Sequence, residues 1–219
     1  MLREREASFR VLGLGVLGIT LWLSGCSSPT QAPSAQVEEA KPVQAPPSGS
    51  IYGISIDSSK VVAIGSKVTG SHTILFPIGE GSLVMGEEGC LRGGKIVLDI
   101  AKLQVLDLEG EDRAKLEGHL KSTDFFEVEK YPNAVFEVTG CERGGRDTVF
   151  LAGNLTMRKI TKNIRFPATV QFSQNALRAN ATFNINRQDW GIKYKGMPDN
   201  LIKDEVNITL NILATPKVQ

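Results

Sequence analysis

The sequence predicts a mainly β domain, an antiparallel barrel or sandwich, with one short helix. Short segments alternate apolar and polar residues at spacings of about 8–12 residues, and Gly- or Asn-rich turns separate them. One stretch breaks this alternation. Leu116 and Leu120 are four residues apart and share a face of a helix of about three turns that begins near Asp112. Pro132 favours extended chain, and a strand follows at about 134–139.

The predicted strands carry their apolar residues at every second position, so each has one apolar face. A one-residue error in register would turn any of these faces outward. In chain order the sets are Ile96, Leu98 and Ile100; Ala134, Phe136 and Val138; Leu151, Leu155 and Met157; Ile164, Phe166, Ala168, Val170 and Phe172; Leu177, Ala179, Ala181, Phe183 and Ile185; and Val206, Ile208, Leu210 and Ile212.

Residues 1–25 predict a signal peptide. Three arginines precede an apolar run from Val11 to Leu23 that is too short to span a bilayer as a stable helix. The run ends in Leu23-Ser24-Gly25-Cys26, which resembles the lipobox of bacterial lipoproteins. Cleavage there would leave Cys26 as an acylated N-terminus on the periplasmic or extracellular side, and Ser27 would favour an outer membrane where one exists. The alternative is a secretory peptide with a coincidental cysteine.

Residues 26–50 predict a tether. From Ser27 to Ser50 the chain is rich in Pro, Ala, Gln, Ser and Val, with five prolines and no aromatic residue. Such a composition cannot form a packed core and favours semi-extended chain. We therefore expect residues 26–50 to lift a domain at residues 51–219 off the membrane.

The charge balance argues against nucleic acid as a partner. Removing residues 1–25 takes away three basic and two acidic side chains and leaves 22 of each. A net charge near zero, without a basic arm or stripe, provides no electrostatic surface for a phosphate backbone.

The sequence also lacks the patterns of common catalytic and metal sites. It contains neither a GxSxG elbow nor a phosphate-binding P-loop. Its two histidines, His72 and His119, do not have a metal-ligand spacing, so we expect each to make an ordinary hydrogen bond and predict no metal and no cofactor. Asn154, Asn180 and Asn207 each begin an Asn-X-Thr sequence, which we attribute to composition.

Several motifs, in order and at matching spacing, resemble the YceI-like family of lipid- and polyisoprenoid-binding proteins. The most specific is GHLKSTDFFEVEKYPNAVFEVT at 118–139. Two further motifs lie upstream, KVTGSH (67–72) and KLEGHL (115–120), the second of which overlaps the start of that motif. Two more lie downstream, LAGNLTMRKITKNIRFPATV (151–170) and INRQDWGIKY (185–194). The resemblance covers most of the chain.

This resemblance implies a fold and a ligand class. It favours the barrel over the sandwich, as an eight-stranded antiparallel lipocalin-like barrel with a short helix between strands 3 and 4. It implies a long apolar chain in the lumen, such as a polyisoprenoid, an isoprenoid quinone or a fatty-acyl lipid. On the inward faces the best candidates for contact are Phe126, Phe136, Leu155, Phe166, Phe183 and Trp190, although Trp190 could instead plug a strand-ending corner.

Two cysteines remain in the predicted barrel, each in a similar turn. Cys90 lies in GCLRGG (89–94) and Cys141 in GCERGG (140–145). If the strands run up and down, both turns lie at one end of the barrel, two strand spacings or about 9–10 Å apart. That exceeds the ~7 Å limit for a disulfide, but flexible glycine turns and an oxidising compartment could close the gap. A Cys90–Cys141 bridge and two free thiols both stay open.

Three classes of function compete. The first is a membrane-anchored binding protein with an apolar chain in its lumen. The second is an enzyme acting on a lipid or quinone, for which the sequence offers no convincing catalytic set. The third is a self-filled barrel with a structural or stress-related role, because eight strands are just wide enough to fill themselves or to hold one small ligand. We favour the binding protein.

Overall fold

The computed structural model describes residues 32–43, 49–86, 89–145, 148–173 and 175–217, so the predicted signal peptide and Cys26 lie outside the described residues. Within these ranges it contains the α-helix α1 (Gly110–Lys121) and the strands β1 Gln36–Glu39, β2 Ile51–Ile54, β3 Lys60–Lys67, β4 Gly70–Phe76, β5 Ile78–Met85, β6 Leu91–Asp99, β7 Gln104–Val105, β8 Asn133–Arg143, β9 Val149–Met157, β10 Ile160–Ser173, β11 Ala176–Asn186, β12 Gly196–Met197 and β13 Asn200–Pro216.

Eight of these strands close into an antiparallel barrel. Their order is β2, β5, β6, β8, β9, β10, β11 and β13, and β13 pairs back onto β2. Helix α1 follows β6 and precedes β8, the third and fourth barrel strands. The predicted eight-stranded barrel with a helix between strands 3 and 4 is therefore confirmed.

The barrel has two distinct ends, which we call the disulfide end and the helix end. The β5–β6, β8–β9 and β10–β11 turns lie at the disulfide end. Helix α1, the β3–β4 and β9–β10 turns and the segment between β11 and β13 lie at the helix end. There β3 replaces β2 as the neighbour of β13, and β4 and β7 extend the wall.

Helix α1 packs over the helix end of the barrel. It buries Leu120, in a cluster that also contains Phe125. Glu117 ties the helix to β7, because its Oε1 accepts from the Val105 N–H at 2.9 Å and from Arg113 Nε at 2.8 Å. The Arg113 hydrogen bond, and then that of Val105, hold the pKa of Glu117 below its ordinary value despite opposing burial. Among the described residues, no helix has the length and hydropathy needed to cross a membrane.

The disulfide end is joined by a bridge between Cys90 and Cys141, whose Cα atoms are 5.6 Å apart. The sequence-based estimate of two strand spacings is too long. Cys90 directly precedes β6 and Cys141 lies in β8, and these strands are neighbours in the barrel. Each cysteine lies on the side of its turn that is nearer to the other strand, so about one strand spacing separates them.

The N-terminal segment differs from the predicted tether, because residues 32–43 lie against the barrel. Strand β10 pairs directly with β11 only between Thr169–Ser173 and Ala176–Asn180. Towards the helix end the two strands separate, and β1 fills the gap between them. It is antiparallel to β10, and Ser34, two residues before it, forms a parallel bridge with β11. The composition of the segment did not predict a strand, because its apolar contacts with the core are few, mainly Ala35 and Val37.

Candidate functional site

The barrel encloses an apolar cavity of about 190 Å³. The cavity runs from Leu83 and Leu91 near the disulfide end to Leu120, Phe125 and neighbouring residues at the helix end. An apolar cavity of about 150 Å³ is known to stay dry and to take up benzene. The lumen thus has the size and polarity to receive part of an apolar ligand.

The lumen is not filled by its own side chains. The alternating pattern directs one set of side chains inward from each strand, and these line the cavity. Several of them remain only partly buried although they point into the barrel: Ile96, Leu98, Phe136, Leu155, Ile208 and Leu210. Apolar surface that stays accessible inside a barrel is free for a ligand to cover.

Three phenylalanines form an aromatic column across the middle of the lumen. Phe166 and Phe183 stack with ring centroids 4.0 Å apart, and Phe136 lies 5.9 Å from Phe166 in a tilted arrangement. Gly153 makes room for this column, because a Cβ atom there would collide with the Phe136 ring. The glycine in the Leu-Ala-Gly-Asn stretch is therefore a packing requirement of the lumen.

Five of the six predicted lumen residues line the cavity: Phe126, Phe136, Leu155, Phe166 and Phe183. The sixth, Trp190, does not. Its side chain is fully buried in the wall, and its Nε1–H donates to the carbonyl of Leu155 at 2.9 Å. This corrects the placement of Trp190 in the lumen and agrees with the alternative position, a strand-ending corner directly after β11. An indole N–H needs a buried acceptor, and the backbone of β9 provides one behind the cavity.

Sequence reasoning missed a buried cation at the helix end of the lumen. Arg187 is buried and lines the cavity. Its Nε donates to Lys203 O at 3.1 Å, its Nη1 to Ile192 O at 2.8 Å, and its Nη2 to the Asp204 carboxylate at 2.8 Å. Lys203 is exposed and also lines the cavity. The cavity therefore reaches the surface beside Lys203, and its wall is almost entirely hydrocarbon.

The two histidines make hydrogen bonds at the helix end. His72 Nδ1 contacts Asp107 Oδ2 at 2.8 Å, and His119 Nε2 contacts Asp124 Oδ2 at 3.1 Å. Burial raises the pKa of Asp107, but the hydrogen bonds from the Thr73 N–H and from His72 outweigh it, so that this pKa lies below its ordinary value. Within the described ranges, no three His, Cys, Asp or Glu side chains are grouped to hold a metal ion.

Buried asparagines on the outer face of the barrel hold the N-terminal segment. Asn184 exchanges backbone hydrogen bonds with Pro33 and Ala35, and its Nδ2 donates to Ala32 O at 3.0 Å. Its Oδ1 accepts from Asn207 at 2.8 Å.

A second asparagine holds the other end of the segment. The side chain of Asn154 accepts from the Lys41 N–H at 3.0 Å and donates to the Lys41 carbonyl at 2.7 Å. The Asn-X-Thr positions Asn154 and Asn207 are therefore structural. The sequence indicates this structural role through the recurrence of asparagine on the outward face of the barrel strands.

The sequence model of the YceI-like domain matches residues 49–214, which is more than half of the chain. The chain belongs to the YceI-like family. The match spans all eight barrel strands and leaves out the N-terminal segment that fills the gap between β10 and β11.

Curated relatives and solved structures are consistent with this membership. A UPF0312 protein of Pseudomonas putida is 31% identical over 103 residues, which cover 44% of this chain and 54% of that protein. A UPF0312 protein of Azotobacter vinelandii is 40% identical over 53 residues, covering 24% of this chain and 28% of that protein. The matched stretch thus spans about half the length of the first relative and less of the second.

Two solved structures share the fold of this YceI-like chain. Burkholderia cenocepacia BcnA superimposes with a TM-score of 0.64 at 18% identity, over 74% of this chain and 99% of that one. A polyisoprenoid binding domain from Saccharophagus degradans superimposes with a TM-score of 0.59 at 15% identity, over 76% of this chain and 98% of that one. At this level of identity the likeness shows a common fold.

Proposed function

We propose that this YceI-like protein binds one long apolar chain, such as a polyisoprenoid, an isoprenoid quinone or a fatty-acyl lipid, in its barrel lumen. The observation that carries this proposal is the open apolar cavity, into which Phe136, Leu155 and other inward side chains remain partly exposed. A barrel filled by its own side chains would leave no such surface. The polyisoprenoid-binding domain with the same fold supports the ligand class.

The energetics favour recognition of the tail. Burying ten methylene groups contributes about 8 kcal/mol, which corresponds to a dissociation constant of about 1 μM before the costs of association are subtracted. The wall offers mostly hydrocarbon for this contact. The protein should therefore discriminate chain length and bulk more sharply than headgroup.

The exposed end of the cavity gives the ligand a direction. The exposed Lys203 lines the cavity at the helix end, whereas the buried Leu83 and Leu91 line it towards the disulfide end. Polar groups stay where water can reach them, and methylene chains bind where it cannot. A bound chain would therefore lie with its polar end at the surface beside Lys203 and its tail towards the disulfide.

The cavity supports binding rather than catalysis. Among the described residues that line it, Arg187 and Lys203 carry the charge, and Arg187 is already engaged by two carbonyls and by Asp204. These lining groups include no carboxylate or imidazole for acid–base work.

The proposal includes anchoring through Cys26, which would keep the lumen beside the membrane that supplies such chains. An acylated Cys26 would place the barrel on the periplasmic or extracellular side of the membrane, and on an outer membrane where one exists. A Cys26→Ala variant followed by detergent fractionation tests this part. We expect the variant to leave the membrane fraction; retention there at wild-type mass would contradict the anchor.

A fluorescence titration with cis-parinaric acid, competed by an isoprenoid quinone, tests the lumen. We expect saturable uptake by the wild type and its loss in Phe183→Asp. Because that variant could unfold, Leu155→Trp is the second test, since it adds apolar volume where Leu155 leaves space. A folded Leu155→Trp protein with wild-type uptake would contradict a lumen site.

A further inference from the structure

Two neighbouring turns at the helix end expose large apolar side chains. Val68 in the β3–β4 turn has 71% of its surface exposed, and Met197 and Leu201 around the β12–β13 turn have 64% and 49%. We call Val68, Met197 and Leu201 the tip surface. Single exposed apolar residues are ordinary, but several on adjoining turns indicate an interaction site.

Hydrogen bonds join the two turns into one edge. The Val68 N–H donates to Leu201 O at 3.1 Å, and the Thr69 N–H and hydroxyl donate to the Asn200 side chain at 3.3 and 3.0 Å. Antiparallel pairing at this point puts Val68 and Leu201 on the same face. Met197 pairs with Asn200, so it projects from the other face of the same turn. The tip surface is therefore held in place by the fold.

Lysines flank the tip surface along the chain. Lys193, Lys195 and Lys203 are exposed on the segment that carries Met197 and Leu201. Of the nearby carboxylates, Asp199 lies in the turn, Glu205 is exposed two residues after Lys203, and Asp204 is paired with Arg187. Lys67 directly precedes Val68 on the other strand. Apolar tips flanked by lysines match the boundary of an anionic bilayer, where the tips enter the headgroup region and the ammonium groups meet lipid phosphates.

The tip surface also adjoins the mouth of the lumen. Ile202 and Lys203, directly after Leu201, line the cavity, as does Gly65 on β3. Docking of the tips on a bilayer would thus place the cavity rim at the level of the lipid headgroups. A lipid drawn from that bilayer could enter with its tail inward and leave its polar end beside Lys203.

We propose that the tip surface docks on anionic phospholipid and presents the lumen mouth to the membrane. This proposal rests on the proposed function, which gives the lumen a membrane lipid to receive. The docking itself is a separate property, because it requires the tip surface and its lysines but no occupied lumen.

Vesicle sedimentation tests the docking without the acyl anchor. The chain from residue 26 onward, carrying Cys26→Ser, is mixed with phosphatidylglycerol or phosphatidylcholine vesicles. We expect binding to the anionic vesicles only. Lys193→Gln/Lys195→Gln should weaken it about fivefold per lysine, or about 25-fold in total, and Val68→Ser/Leu201→Ser should reduce it by a similar factor. Thermal unfolding verifies that each variant is folded.

Matched controls lie elsewhere on the barrel. Ile56→Ser removes a comparably exposed apolar side chain, and Lys60→Gln/Lys95→Gln removes two exposed lysines; both should bind as the wild type does. Equal losses in the controls, or wild-type binding by the tip variants, would overturn the proposal. So would a dimer that Val68→Ser/Leu201→Ser dissociates while the wild type ignores vesicles, which would assign the surface to a second copy.

Uptake of cis-parinaric acid in vesicle-free buffer separates the two proposals. Tip variants that lose vesicle binding but keep uptake would support a docking surface distinct from the lumen. A wild type that takes up the probe but does not bind anionic vesicles would overturn the docking alone. Vesicle binding without uptake would support the docking and contradict the lumen proposal.

Discussion

Phe166 and Phe183 stack almost face to face inside the barrel, with ring centroids 4.0 Å apart and planes 15° from parallel. Both rings line the cavity, so their bulk limits the space beside them. An added ring at this point should obstruct the path of a threaded chain.

We predict that Phe183→Trp shortens the longest acyl chain that binds. The larger indole occupies lumen volume that the chain would otherwise fill, so the preference should move to shorter members of a fatty-acid series in a competition assay. Phe150→Trp is the matched control, because Phe150 does not line the cavity. Its ring instead packs under Arg165, whose guanidinium carbon lies 4.1 Å from the Phe150 ring centroid. An unchanged chain-length profile in a folded Phe183→Trp protein would argue against threading past this ring.

Gly153→Ala should destabilise the barrel by about 1–3 kcal/mol, the usual cost of overpacking a core. The new methyl group would collide with the Phe136 ring and with the backbone carbonyl of Glu137, so both the ring and the neighbouring strand have to shift. Urea unfolding measures the loss. Gly140→Ala on the neighbouring strand is the control, since its Cβ would meet only Ala152 at an ordinary contact distance of 3.9 Å. Equal stability of the two variants would mean that the Phe136 ring does not depend on Gly153.

Asn184→Ala should release the N-terminal segment. It removes the donor to Ala32 and the acceptor for Asn207, and each buried polar group left unpaired costs about 1–3 kcal/mol. Hydrogen exchange of residues 33–41 should accelerate, whereas the rest of the barrel should exchange as before. Asn180→Ala, at a partly exposed position on the same strand, should leave the segment protected. Unchanged exchange in Asn184→Ala would contradict the clamp.

The Cys90–Cys141 bridge should contribute about 4 kcal/mol to stability, because it closes a loop with a sequence separation of 51 residues. Cys90→Ala/Cys141→Ala should lower the midpoint of urea unfolding accordingly. Thiol titration of the denatured, unreduced protein should detect neither of these cysteines. Two reactive thiols in addition to any at Cys26 would contradict the bridge.

Glu117 should make the helix end sensitive to acid. Its pKa is lowered from 4.5, first by the Arg113 hydrogen bond and then by that of Val105. The stability it contributes is therefore fully present above that ordinary value and is lost as the pH falls through the lowered pKa. Glu117→Gln should flatten this part of the stability curve. Glu111→Gln, at an exposed position on the same helix, should not.

Much of the lumen could be predicted because period-two alternation depends on local sequence. The alternation predicted the apolar faces that carry Phe136, Leu155, Phe166 and Phe183, and these four residues line the cavity. The same pattern failed at Phe172, whose side chain is half exposed because β10 runs beyond the barrel interior at the disulfide end.

The features that escaped prediction depend on contacts between distant parts of the chain. Val37 lies in a Pro- and Ala-rich segment that becomes a strand only because β10 and β11 separate. Arg187 is buried because it donates to three acceptors, Lys203 and Asp204 on β13 and Ile192 before β12. For Trp190 the sequence left two positions open, the lumen and a strand-ending corner, and the choice between them depends on an acceptor on β9. The secondary-structure propensity of the local sequence does not determine any of these long-range contacts.

Native mass spectrometry of the protein purified without added lipid tests the central claim most directly, because it reads occupancy and ligand mass together. The account predicts a one-to-one complex whose extra mass is that of a single long-chain apolar lipid or isoprenoid, and predicts its loss in a folded Leu155→Trp variant. A folded wild-type protein that carries no lipid, and that binds neither isoprenoid quinone nor fatty-acyl probes at tens of micromolar, would contradict it.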